Sequence, residues 1–235
     1  METPNAVRLE QRKMLHHTLV KTFHIVTSIG YLYMHYYCEV YLDVPYKLYS
    51  HRIFGRYKYL THWNLTIQTV LLLLCCIADF APPETRRSVI LIRDHLFLSL
   101  AMPLSLFVTV FFWTLYHVDR DFVFPDIVAM YYPVWVNHAL HSTTLPILLL
   151  EASLHRHRQP KRSAGFATLM AVVVAYISLM EYLGIVHDVW VYPVLEVMEA
   201  RIFVPFVTFS AVVVFVFYIW AERINIMYWP DNNQE

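Results

Sequence analysis

The chain has 235 residues, of which 58% are hydrophobic, 16% aromatic and only 15% charged, and its formal net charge is zero. A soluble domain is about 45–50% apolar, whereas the mean hydropathy here is +0.44, so an ordinary soluble domain is excluded in favour of an integral membrane protein. No basic patch interleaved with aromatics points to nucleic acid, and Cys38, Cys75 and Cys76 give no disulfide framework.

Met1 to His17 reads as a polar, basic leader with Arg8, Arg12 and Lys13. It lacks a secretory apolar core followed by a cleavage site, so the first apolar segment is expected to stay as an anchor. Segment one, Thr18 to Tyr37, is diluted by Lys21, His24 and several tyrosines, and Cys38 to Tyr59 reads as a polar, aromatic loop. Segment two is Leu60 to Phe80. A loop marked by Pro82 and Pro83 runs to Asp94, segment three is His95 to His117 with Pro103, and Asp119 to Asp126 is a short connection. Segment four is Tyr131 to Glu151. The basic stretch Leu154 to Gly165 precedes segment five, Phe166 to Val186, and segment six is Ile202 to Ala221.

Each segment is near the ~20 residues a helix needs to cross hydrocarbon, and none alternates as barrel strands do. The expected fold is all-α. It is a single bundle of six transmembrane helices over residues 18–225, between the leader (1–17) and a polar tail (226–235). Five helices are the alternative if segment one does not cross. With a cytosolic N-terminus, eleven Lys and Arg fall on the cytosolic side and six (Lys47, Arg52, Arg56, Lys58, Arg120, Arg201) on the other. Both termini are then expected in the cytosol, of either the endoplasmic reticulum or the cell membrane.

Segment four carries the chemistry. Asn137, His138, His141 and Thr144 share one helical stripe. Polar groups in hydrocarbon need partners, so the stripe is expected to face the interior and Val136, Ala139, Leu140 and Ile147 the lipid. Pro146 is expected to kink the helix and free the carbonyl of Ser142.

His138 and His141 sit at i, i+3, as metal ligands can, and His62, Glu151, His155 and His157 could add donors. The pair stands alone without further histidine boxes or HExxH, so no metal and no organic cofactor are assigned. A hydroxyl activated by a histidine fits better. Ser142, Thr143 and Thr144 are local candidates, and Thr61, Thr66 and Thr69 lie on segment two; spacing does not choose among them. Glu181 reads as a protonated, hydrogen-bonded acid, and the Asn64-Leu65-Thr66 sequon as too deep to be glycosylated.

Lys58-Tyr59-Leu60-Thr61 followed by Asn64-Leu65 and Gln68, together with Asn137-His138-Ala139-Leu140-His141 and Pro146, resembles the androgen-induced gene 1 / androgen-dependent TFPI-regulating protein family. Arg93-Asp94, Phe112-Trp113, Glu151 and Trp190-Val191-Tyr192-Pro193 extend the likeness over nearly all of the chain beyond the leader. The resemblance implies a multi-pass membrane hydrolase of fatty acid esters of hydroxy fatty acids, with Thr61 as nucleophile and His141 as its base. Asn137 and His138 are then candidates for orienting His141 or donating to the oxyanion. The partners implied are a lipid ester and the bilayer, with no nucleic acid. Ser142 stands where relatives often have threonine, and His62 is an imidazole the pattern does not require. The alternative is a non-enzymatic multi-pass protein, a small transporter or a regulatory partner. One strain remains: Thr61 opens its span, whereas His141 is ten residues into its own, or ~15 Å. Their meeting is expected to need an earlier start to segment two, near Arg56, or a strong tilt around Pro133.

Overall fold

The structure is a computed structural model and describes residues 4–42 and 54–230. These fold into seven helices: α1 (Pro4–Val40), α2 (Leu60–Phe80), α3 (Pro83–Val118), α4 (Val134–His141), α5 (Thr144–Leu154), α6 (Arg162–His187) and α7 (Ala200–Tyr228). Single helical turns at Gly55–Lys58, Arg120–Phe122, Asp126–Ala129 and Pro193–Glu196 join them. Among the described residues there is no strand. Lys47 and Arg52, counted for orientation, lie outside the described residues, as do 43–53 of the expected first loop and 231–235 of the tail.

Among the described residues, four helices are long and apolar enough to cross a bilayer: α2, α3, α6 and the Arg201–Tyr228 stretch of α7. The other two expected spans fall short for different reasons. Segment one lies within the 37-residue α1, long enough but diluted by polar residues. Segment four is divided between the 8 residues of α4 and the 11 of α5.

Two expected loops are helical. From Pro4 the leader forms the first turns of α1, and the stretch read as a loop to Asp94 is helix from Pro83. The Pro82–Pro83 pair does end α2. A proline at the first helical position has φ already set and needs no N–H partner, so it also starts α3. Within α3 a wide π-turn spans Phe97–Ala101. It lies just ahead of Pro103, whose ring would clash with the Ser99 carbonyl in a regular α-helix.

α3 is the central element, packed on α2, α5, α6 and α7. Its most apolar window is 61% buried, against 17% for α7, which lies at the periphery. Leu71, Phe97, Leu98, Met102, Leu148 and Phe217 form one core, and Leu60, Leu104, Leu169, Val173, Tyr176 and Tyr218 a second. Val204, Phe209 and Val212 on α7 point outward, as lipid-facing side chains do. At Gly184 a Cβ would stand 2.8 Å from the Trp190 ring, so the glycine lets the segment after α6 fold back onto that helix.

Candidate active site

Thr61 is in the first turn of α2, where backbone N–H groups have no helical partner. Two phenols solve that locally. Leu60 N–H donates to Tyr176 Oη of α6 at 3.1 Å and to Tyr192 Oη at 3.3 Å. Tyr176 donates to the Lys58 carbonyl at 3.3 Å, and the two phenol oxygens are 3.1 Å apart. The proton count closes with Tyr192 donating to Tyr176, because burial raises the Tyr192 phenol above its ordinary pKa and it keeps its proton. The Trp190–Pro193 string therefore helps fix the turn that carries Thr61.

Thr61, 8% exposed, has its Oγ1 3.3 Å from His141 Nε2. The opposite ring nitrogen, Nδ1, is 3.0 Å from the Asn137 carbonyl. A carbonyl only accepts, so Nδ1 carries the ring proton and Nε2 offers a lone pair. Thr61 is the donor of its hydrogen bond, in the arrangement a base needs before it takes a proton. Phe112 stacks on the imidazole with centroids 3.6 Å apart and planes at 12°.

Thr61 and His141 meet with α2 still starting at Leu60, because the helix that carries His141 starts late, after Pro133. α4 begins only at Val134 and stops at His141. Ser142 N–H and Thr143 N–H both turn back to the His138 carbonyl, at 2.8 and 3.0 Å. Pro146 has no N–H with which to continue the ladder from Ser142, and it is accommodated in the first turn of α5. The proline thus replaces the expected kink with an end and a restart, and His141 is the last residue before the gap.

The polar stripe is turned from its expected position. Val136 and Leu140, expected toward lipid, are 0% and 2% exposed, packed with Tyr31, Met34 and Leu65. At about 100° per residue, positions 136, 140, 137 and 141 sweep one arc and 138 falls beyond it. His138 is accordingly exposed, stacked on Trp113 at 5.3 Å and bonded through Nδ1 to Ser142 Oγ at 3.0 Å. It is not brought to the Thr61–His141 pair. Asn137 is buried and acts through its backbone carbonyl, while its Oδ1 has no hydrogen-bond partner.

The other hydroxyls are engaged differently. Thr66 donates to the His62 carbonyl at 2.8 Å, Thr143 to Ala139 at 2.9 Å, and Thr144 Oγ1 is 3.4 Å from Thr109 Oγ1. Thr69 touches His35, yet its proton goes to the Leu65 carbonyl at 2.7 Å and is not available to that ring. Among the hydroxyls considered from the sequence, Thr61 is the one that both faces a histidine and lines a cavity.

That cavity, about 400 Å³, lies inside the bundle between α2, α3, α6 and α7, within the ~300–1,000 Å³ of small-molecule sites. Phe107, Phe111, Val173, Ile177 and Phe206 make most of its wall apolar, and Thr61, His62 and His141 supply polar groups. His62 is 3% exposed with neither ring nitrogen partnered. Glu181 is not on this wall. Asn64 is fully buried and bonded to Gln68 at 3.2 Å, which leaves no room for a glycan. Phe112 and Tyr176 were not singled out in the sequence as site residues, since their partners are remote in the chain. Side chains able to hold a metal, His24, Cys75 and Glu151, cluster elsewhere in the bundle.

Residues 20–226 match the family model described as FAR-17a/AIG1-like protein. The chain belongs to the FAR-17a/AIG1-like family. It is 32% identical to the androgen-dependent TFPI-regulating protein of Homo sapiens over 218 residues, 90% of this chain and 94% of that protein. Identity to the Rattus norvegicus protein of the same name is 33% over 211 residues, 88% and 92% of the two chains. The Homo sapiens androgen-induced gene 1 protein is 31% identical over 192 residues, 77% and 81%. No solved structure matches. The likeness noted in KYLT and NHALH therefore extends across an integral membrane bundle of this family.

The rotated stripe can be checked by labelling. In a background with Cys76 replaced and with the protein extracted in mild detergent, a cysteine introduced at 138 should react with a membrane-permeant maleimide without denaturation. One at 137 should react at least about tenfold more slowly until the protein is denatured, as burial blocks access. Equal native labelling at both positions would contradict the orientation of α4.

Proposed function

We propose that this protein is an intramembrane hydrolase of lipid esters, with fatty acid esters of hydroxy fatty acids as the substrate class that family resemblance favours. The observation that carries the reading is the Thr61–His141 hydrogen bond, with the imidazole in the accepting tautomer, on the wall of an apolar cavity. His141 Nε2 takes the Thr61 proton as Oγ1 attacks the ester carbonyl. The tetrahedral oxyanion forms beside the first turn of α2, where the helix dipole favours negative charge. The imidazolium then gives its proton to the departing alkoxide, leaving the acyl group on Thr61. Water, deprotonated by the same nitrogen, attacks the acyl-threonine, and the imidazolium returns that proton to Thr61 Oγ1 as the acyl bond breaks and the acid leaves. No cofactor takes part in these steps. Phe112 and the Asn137 carbonyl hold the ring in place, and the greasy wall suits acyl chains arriving from the bilayer.

The same reading takes six crossings, with α1 and the α4–α5 pair joining the four long helices, and both termini in the cytosol of the endoplasmic reticulum or the cell membrane. Tags at the two ends should then both be protected in sealed cytosol-side-in vesicles, while a tag between His187 and Ala200 should be accessible. Termini on opposite sides would remove the six-crossing arrangement.

Activity tests the chemistry. At equal expression, Thr61→Ala should abolish turnover of long-chain esters and Thr61→Ser should keep part of it. His141→Ala should slow turnover by on the order of a hundredfold or more, in keeping with a general base. His138→Ala should stay within about a factor of two, as for an outward side chain. A well-expressed Thr61→Ala protein that still turns over would overturn the assignment. Wild-type protein inert toward every long-chain ester would favour a non-enzymatic role, such as the regulatory one in the relatives' printed name.

A further inference from the structure

The bundle holds a second buried polar cluster that ester hydrolysis does not use. Cys75 follows Thr61 by fourteen residues on α2, about 21 Å along the helix at 1.5 Å per residue. Beside it Glu151 of α5 is completely buried. Four side chains converge on its carboxylate: His24 Nε2 of α1 at 2.8 Å, His155 Nδ1 at 3.3 Å, Cys75 Sγ at 3.5 Å and His157 Nε2 at 3.6 Å. His24, Cys75 and Glu151 offer donor atoms within 4.8 Å of one another.

The far sides of two rings fix their tautomers. His24 Nδ1 is 2.7 Å from Asp79 Oδ2, and His157 Nδ1 is 3.0 Å from Asp94 Oδ1. Asp94 is itself held by Arg93 at 2.7 Å and by the Arg158 N–H at 3.0 Å. Carboxylates accept, so both Nδ1 atoms carry protons, and a neutral ring then aims an Nε2 lone pair at Glu151. A carboxylate on the outer nitrogen is how proteins set and orient histidine ligands to a metal. His157 is 1% exposed and its Nε2 has no hydrogen-bond partner. Such a buried, unmet acceptor facing a carboxylate is repulsive unless a proton or a metal cation lies between them. Two ligands on one tetrahedral zinc stand about 3.3–3.8 Å apart, given zinc–ligand bonds of about 2.0–2.3 Å. Cys75 and His157 stand at such spacings from Glu151, His24 is closer, and His157 lies outside the group of donors within 4.8 Å of one another.

We propose that His24, Cys75 and Glu151 bind one zinc-class transition-metal ion, with His157 turning in from beside Glu151 as the fourth ligand and with Asp79 and Asp94 as the outer carboxylates. A thiolate with imidazoles selects zinc over magnesium or calcium. His155, its side chain 25% exposed, stacks on His24 at 5.1 Å and covers the cluster. The four donors are all interior, which suits a closed, structural site. The ion ties α1, α2, α5 and the connection after α5 together, far from Thr61. The sequence led to no metal because these donors come from three separate stretches, and His157 reads there as part of a basic loop. The competing arrangement is a metal-free one, with His24 as an imidazolium donating to both Asp79 and Glu151.

Metal content decides between them. Full-length protein extracted in mild detergent, with a tag free of histidine, should carry about one zinc per chain by plasma mass spectrometry. Glu151→Gln and His157→Ala should lose most of it, and the gentler Asp79→Asn should weaken zinc binding by about tenfold to a hundredfold. Should the ligand variants fail to fold, cobalt(II) exchanged into the wild-type protein gives an independent reading. A thiolate-to-cobalt absorption band should appear, vanish in Cys75→Ser and persist in His155→Ala. Wild-type protein that is metal-free and takes up no cobalt would overturn the site in favour of the imidazolium. So would metal content unchanged by the ligand substitutions.

Discussion

A polar group inside a bilayer-spanning bundle has no water to fall back on, and the arrangement of this protein follows from where such groups find partners. The hydrogen bond from His141 Nδ1 to the Asn137 carbonyl shows the rule at its smallest scale. It satisfies one ring nitrogen within a single helical turn and thereby leaves the other to face Thr61. The tyrosine pair over Leu60 N–H answers the same need at the start of α2. Removing either set of bonds would leave a bare donor or acceptor in the interior, at about 1–3 kcal/mol each.

The break in segment four extends the argument from single atoms to chain path. Ending α4 at His141 and restarting at Thr144 lets one stretch do two jobs. α4 presents the imidazole to Thr61, and α5 carries Glu151 into the second polar cluster. Pro146 makes the restart local, because its missing N–H removes the bond that would have bridged the gap. The two polar centres are thus set by one broken segment running beside α2, and the π-turn ahead of Pro103 in α3 is a second proline adjustment in the same core.

Much of this was legible in the sequence, for identifiable reasons. The bounds of α2 follow from an apolar run closed by Pro82–Pro83, and the family from KYLT and NHALH. What stayed hidden depended on partners distant in the chain. Arg93 and Asp94 look like loop charges, yet they pair with each other, and Asp94 with His157, on a buried face of α3. The period of the polar stripe was readable, whereas the arc of α4 that is buried is chosen by Tyr31 and Met34 of α1, so His138 points outward. Spacing left six hydroxyls open as nucleophiles; local backbone bonds at Thr66, Thr69 and Thr143 separate them from Thr61 only once the structure is known.

In the proposed reaction Thr61 Oγ1 becomes the nucleophile because His141 accepts its proton. Mapping a covalent adduct tests it most directly. The full-length protein in membranes would be treated with a lipid-like fluorophosphonate, digested, and the modified residue located by tandem mass spectrometry. The account predicts a single phosphonyl adduct on Thr61, absent when His141 is replaced by alanine. An adduct on Ser142, Thr143 or Thr144, or continued ester turnover by protein that takes up no probe at Thr61, would contradict it.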